Sequence, residues 1–158
     1  MAIEQVRAYF AGQGMADRVL EFEASSATVE LAARAVGVEG ARIAKTLSFK
    51  GVDSNILLVA AGDAKVDNAK YKAQFGVKAK MLSADEVLEA TGHAVGGVCP
   101  FALKTDVPVY LDVSMQRFSS VYPACGSGNS AVKLTPDELF RHANARAWVD
   151  ICKGWQAE

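Results

Sequence analysis

Six consecutive apolar residues, Ile56-Leu57-Leu58-Val59-Ala60-Ala61, leave a chain no polar face to turn toward water. A strand of that composition has to be covered on both sides, which places it in the middle of a sheet between layers. The preceding run, Ile43-Ala44-Lys45-Thr46-Leu47-Ser48-Phe49-Lys50, is long enough to pair with it, and Gly51-Val52-Asp53-Ser54-Asn55 between them is rich in turn residues. The two runs therefore read as a hairpin. Alternation in the first strand sets Ile43, Lys45, Leu47 and Phe49 on one face and Ala44, Thr46, Ser48 and Lys50 on the other. Lys45 falls on the apolar face. An ammonium there is desolvated, paired or open to a cavity, or else runs its stem along the surface to water. The first three options make it a candidate site residue.

Around this hairpin the sequence predicts helices over Ala2–Gln13, Val29–Val36 and Asp67–Phe75. A further helix opens at Ser83-Ala84-Asp85-Glu86 and closes at Gly92, and a last one starts at Thr135-Pro136-Asp137-Glu138. Both of those starts pair a hydroxyl with a glutamate three residues on, the capping-box spacing, and Thr28 is a plausible cap for the second helix. Short strands are expected at Val19–Phe22, Val77–Met81, Val107–Asp112, Ser119–Pro123, Ala131–Leu134 and Ala147–Ile151. Hairpins mixed with scattered helices imply an α+β or mixed α/β fold: one domain over residues 1–158, with a mixed, largely antiparallel sheet flanked by helices.

A net charge of -1 gives no global basic field for holding nucleic acid, so any such grip must be local. No stretch nears the length of a membrane span. The cysteines Cys99, Cys125 and Cys152 are odd in number and far apart, which argues against a disulfide framework and fits a reducing, cytoplasmic compartment.

Three other features carry candidate chemistry. Gly96-Gly97-Val98-Cys99-Pro100-Phe101 suits either a turn whose backbone N–H groups approach a ligand or a tight turn that packs Phe101 into the core. Gly62-Asp63 ends the buried strand, a position that favours ligands but also ordinary turns. Lys65, Lys70, Lys72, Lys78 and Lys80 form either a solvated face or a phosphate-contacting patch. His93 precedes the glycine loop and reads as an exposed loop histidine or as part of its rim. Cys99 and Cys125 lack a neighbouring base, and with His93 they lack metal-ligand spacing, so packing is the expected role. No metal or cofactor is expected.

Taken in order, Thr28, Ile43-Ala44-Lys45-Thr46-Leu47-Ser48-Phe49, Gly62-Asp63, Thr91-Gly92-His93-Ala94-Val95-Gly96-Gly97-Val98-Cys99-Pro100-Phe101, Val109-Tyr110-Leu111-Asp112 and the turn at Gly126 resemble the YbaK/ProX family of aminoacyl-tRNA deacylases, related to the editing domain of bacterial prolyl-tRNA synthetases. The resemblance implies metal-free hydrolysis of a mischarged aminoacyl-tRNA, with proline tRNA carrying a small wrong amino acid such as Ala or Cys as the expected substrate. It assigns the central role to Lys45, with backbone groups of Gly96 and Gly97 polarising the ester. It further implies substrate contacts from Thr28, Thr46, Phe49, Gly62, Asp63, Pro100, Phe101, Asp112, Cys125 and Gly126, and tRNA contacts from Lys70 and Lys72. Ala124-Cys125-Gly126 departs from the commoner pattern, in which alanine precedes the glycine, and so bears on pocket size. The expected partners are the acceptor end of the tRNA and a prolyl-tRNA synthetase or elongation factor, with no DNA and no membrane. The competing expectation is a non-catalytic module of the same fold that docks on tRNA or a synthetase.

Overall fold

In the computed structural model, which describes residues 2–156, the all-apolar strand β3 (Asn55–Ala61) lies at the centre of a five-stranded sheet. Residues 1, 157 and 158, the ends of the expected single unit, lie outside the described residues. The other strands are β1 (Val19–Glu21), β2 (Ile43–Lys50), β4 (Lys65–Val66), β5 (Val109–Asp112), β6 (Tyr122–Pro123), β7 (Ser130–Val132), β8 (Ala147–Val149) and β9 (Cys152–Lys153). The helices are α1 (Ala2–Gly12), α2 (Val29–Val36), α3 (Asn68–Phe75), α4 (Ala84–Thr91) and α5 (Pro136–His142). The central order is β6-β2-β3-β5-β8, and two-stranded ribbons β1-β7 and β4-β9 stand beside it.

The sheet is mixed. Seven antiparallel pairings from Ala44↔Ala61 to Lys50↔Asn55 tie β2 to β3. The contacts of β6 with β2, β3 with β5 and β5 with β8 are parallel and shorter. Both ribbons are antiparallel. Leu57 through Ala61 are fully buried, as a strand without a polar face requires. On the side of β2 that carries Lys45, Ile43 joins Ala32 of α2 in a small apolar cluster, and Phe49 packs on Tyr71 of α3 with ring centroids 5.1 Å apart.

Local chemistry sets the element ends. Thr28 Oγ1 accepts from the Leu31 N–H to start α2, and Gly37 closes it in the left-handed region. Asp67 is the cap of α3 rather than its first residue, its carboxylate accepting from the N–H groups of Ala69 and Lys70. Full capping boxes open α4 at Ser83 and α5 at Thr135.

All six expected short strands differ in extent: Val19–Phe22 ends at Glu21, Val107–Asp112 begins at Val109, and the other four change as follows. Val77–Met81 contributes only a bridge from Met81 to Phe49, and Ser119–Pro123 shrinks to β6 plus a bridge from Val121 to Leu134. The strand expected over Ala131–Leu134 is Ser130–Val132. The last strand, expected over Ala147–Ile151, breaks after Val149, because the Ile151 N–H donates to the buried Asp112 carboxylate at 3.0 Å instead of to a neighbouring strand. The chain then pairs as β9 with β4, a ribbon too short to show any alternation.

Leu58→Ala opens a cavity where packing is complete on both faces. It is expected to cost about 2–5 kcal/mol of stability, measured by urea denaturation.

Candidate active site

The cavity of interest forms where β2 has no neighbour. Strand β6 pairs with β2 only at Ile43 and Ala44. The edge is next covered at Ser48, whose carbonyl accepts from the Leu82 N–H at 3.1 Å, and at Lys50, whose N–H donates to the Lys80 carbonyl at 2.8 Å. Alternate residues of a strand turn their backbone groups to opposite edges. Thr46, in phase with Ser48 and Lys50, therefore presents its N–H and C=O to the gap. A cavity of about 290 Å³ opens there, bounded by β2, the start of α2, Met81 and Leu82, the Gly96 loop and the strands around Tyr122 and Ala131. Small residues, Ala27, Ala32, Ala44, Ala124 and Ala131, supply much of its wall. The exposed side chains of Met81 and Val95 border it on the solvent side.

Lys45 lines this cavity and is half-buried. Its ammonium donates to the carbonyl of Ala64 and, at 3.5 Å, to that of Gly62, both in the turn that follows β3. An ammonium has three N–H donors, so one remains for a ligand. Burial lowers the Lys45 pKa and the nearby cation Lys65 adds to this, while Cys152 and Asp63 act against it. The turn can lie this close because Gly62 has no side chain: a Cβ there would overlap the carbonyl of Gly40.

Two buried hydroxyls on cavity-lining residues, Ser26 Oγ and Thr46 Oγ1, have no hydrogen-bond partner among the described residues. Buried polar groups are rarely left so.

Of the residues expected at a site, Lys45, Thr46, Thr28 and Gly96 meet at this cavity, and Gly62 touches it through Lys45. The Thr28 hydroxyl is already engaged as the cap of α2. Gly97 differs from the expectation of a second free backbone donor. Its N–H donates to the Ala94 carbonyl at 3.0 Å, and a Cβ would overlap the backbone of Ser127, so the glycine lets two loops pack together.

Several expected residues stand away from the cavity wall. Phe49 packs on Tyr71, and Phe101 packs edge-on against Phe10 at 4.9 Å. Pro100 borders a separate depression with Lys104 and Arg146. The Asp112 carboxylate accepts from the N–H groups of Ser114 and Ile151, and Asp63 pairs with Arg117. Cys125 is fully buried behind the lining residue Ala124, and Gly126 packs on the backbone of Ala2 and Ile3. Lys70 is tied to Asp150 at 3.2 Å, while Lys72 is exposed.

His93 is not an exposed loop residue. It is fully buried, with Nε2–H donating to the Phe101 carbonyl at 2.8 Å and the Cys99 sulfur 3.5 Å away. Burial holds its pKa below the ordinary value and pushes the Cys99 thiol up to about 12, with Cys125 raised for the same reason. Neither histidine lines the cavity. Ser26, Tyr122, Val98 and the alanines were missed by sequence reasoning, since small and apolar residues give no local signal of lining a cavity rather than a core.

The chain is similar to known proteins. Residues 23–142 match the model of the aminoacyl-tRNA editing domain. The chain is 56% identical over 157 residues to protein YwhH of Bacillus subtilis (strain 168), covering 99% of this chain and all of that one. It is 28% identical over 121 residues to EbsC of Enterococcus faecalis (strain ATCC 700802 / V583), a candidate Cys-tRNA(Pro)/Cys-tRNA(Cys) deacylase, covering 75% and 74% of the two chains. A crystal structure described as a candidate trans-editing enzyme for prolyl-tRNA synthetase superposes with a TM-score of 0.87 at 31% identity, over 97% of this chain and 98% of that one.

Two outcomes follow from the site geometry. The folded Lys45 has a lower pKa than the unfolded one, so the unfolded chain binds more protons as pH approaches the ordinary value of 10.5, and stability rises with pH in that window. Lys45→Met should flatten this rise, as read by denaturation midpoints of parent and variant from neutral to alkaline pH. Gly97→Ala should lower the melting temperature, because the added methyl forces the Ser127 backbone away.

Proposed function

Because the chain belongs to the aminoacyl-tRNA editing-domain family, we propose that it is a free-standing deacylase that hydrolyses the ester of a mischarged tRNA, with a small amino acid such as Ala or Cys on proline tRNA as its substrate. The observation that carries this reading is the Lys45 ammonium at the edge of a small, alanine-walled cavity, with one donor unused. At about 290 Å³ the cavity lies near the small end of ligand pockets, which suits an aminoacyl group.

The chemistry needs little. Water adds to the ester carbonyl carbon, the bond to the ribose oxygen breaks, that oxygen takes a proton that originates from the water, and the amino acid leaves with a carboxylate. Charge develops on the carbonyl oxygen. The free donor of Lys45, the Thr46 N–H on the open edge of β2 and the backbone of Gly96 are the groups this reading aims at it. Such donors act strongly in a half-dry cavity, because they need no reorganisation as the charge forms. With no histidine on the cavity wall, a hydroxyl of the terminal ribose serves to activate the water. Lys70 and Lys72 contact acceptor-end phosphates, and a prolyl-tRNA synthetase or elongation factor delivers the tRNA.

Lys45→Ala should lower deacylation of Ala-tRNA(Pro) or Cys-tRNA(Pro) by about a hundredfold or more, with an unchanged circular dichroism spectrum. A folded variant that retains activity within a few-fold of the parent overturns the assignment. A parent that binds these tRNAs without hydrolysing any member of a panel of mischarged tRNAs is instead a docking module.

A further inference from the structure

Lys45 is aimed by a turn, and that turn is gripped from outside the cavity. Asp63 sits between Gly62 and Ala64, the two residues whose carbonyls hold the ammonium. Its carboxylate receives both Nη groups of Arg117, at 3.0 and 2.6 Å. The same guanidinium donates through Nε to the Ser114 carbonyl at 2.7 Å and through Nη1 to the Trp155 carbonyl at 3.2 Å. Its carbon lies 4.7 Å from the Phe118 ring centre and 5.0 Å from that of Trp155.

An isolated surface ion pair would contribute little, but this one is two-pronged, and its side chains are only 28% and 37% exposed. Four hydrogen bonds and two aromatic contacts leave the guanidinium little freedom of orientation. A second tie acts on the same stretch of chain: the Ala61 N–H donates to the fully buried Ser114 hydroxyl at 3.2 Å. Ser114 and Arg117 belong to one short 3₁₀ turn, Val113–Arg117, capped by Asp112. That turn therefore holds the segment 61–64 at two points, Ala61 and Asp63.

We propose that Arg117 is a positioning residue for Lys45: by clamping Asp63 it fixes the two carbonyls that hold the ammonium and leave its third donor for the cavity. Trp155, stacked on the guanidinium and donating from its indole to the Cys152 carbonyl at 3.4 Å, brings the strand after β8 into the same clamp. The proposal rests on the deacylase reading for its kinetic consequence, but not for its structural one. The groups that face the Lys45 ammonium are Asp63 in the turn, Lys65 on β4 and Cys152 on β9. Loss of the Arg117 cation acts to raise the Lys45 pKa, whereas loss of the two carbonyl acceptors acts to lower it, so the clamp is read from displacement of the titration and not from its sign.

The test uses Arg117→Gln and Arg117→Lys in the full chain, with deacylation kinetics and direct NMR titration of the Lys45 side chain. Arg117→Gln is expected to lower kcat about tenfold or more with KM within about twofold, and to displace the Lys45 titration from its position in the parent. Arg117→Lys keeps the charge without the fork and should fail to restore kcat. Asp63→Asn combined with Arg117→Gln should be no slower than the worse single variant, since both act through one turn. If Arg117→Gln does not fold, Asp63→Asn alone carries the test and should lower kcat in the same way. An unmoved Lys45 titration and a kcat within twofold of the parent in a folded variant overturn the proposal. The NMR titration stands whether or not the chain proves to be a deacylase, so failure of the clamp and failure of the function are read separately.

Discussion

The site depends on one contact: a lysine ammonium held by main-chain carbonyls at the end of a buried strand. Carbonyls satisfy donors without neutralising charge, so the amine keeps an electrostatic field that a carboxylate partner would cancel. Burial works against the cation and lowers its pKa. The arrangement stands because the surrounding backbone is held independently, by a glycine packed on the Gly40 carbonyl on one side and by the Arg117 fork on the other.

The cavity itself is a consequence of unequal strand lengths. Strand β2 is eight residues long, and its outer neighbour β6 is two. The hairpin partner β3 saturates one edge of β2, while β6 and the Lys80–Leu82 segment cover only the ends of the other. An exposed unpaired edge invites association with other chains. Here the gap is roofed by the start of α2 and the glycine loop, which converts a liability into a recess with backbone donors and acceptors.

What the sequence made legible was whatever carries a periodic or chemical signature. The hairpin, the boundaries of α2, both capping boxes and the unusual face of Lys45 were readable, because alternation and capping are local. The cavity was not. Its walls are alanines and single serines, which look the same in a sequence whether they line a core or a recess. Gly97 illustrates the limit: the glycine was readable as a close approach, but its neighbour is Ser127, thirty residues further on, and not a ligand. His93 shows the same limit, since its burial follows from tertiary hydrogen bonding to Phe101.

The alanine wall gives the recess an asymmetric capacity for change. Ala32, Ala124 and Ala131 can each gain carbon atoms and shrink the space, and a single methylene in such a wall discriminates between ligands by roughly ten- to two-hundredfold. In the other direction the alanines have almost nothing to lose, since only glycine is smaller and at Ala32 and Ala131 it would loosen the helix and strand that carry them. Selectivity in this scaffold can therefore be narrowed at the alanines one residue at a time, whereas room for a bulkier ligand has to come from the larger lining residues, such as Leu82, Val98 and Tyr122.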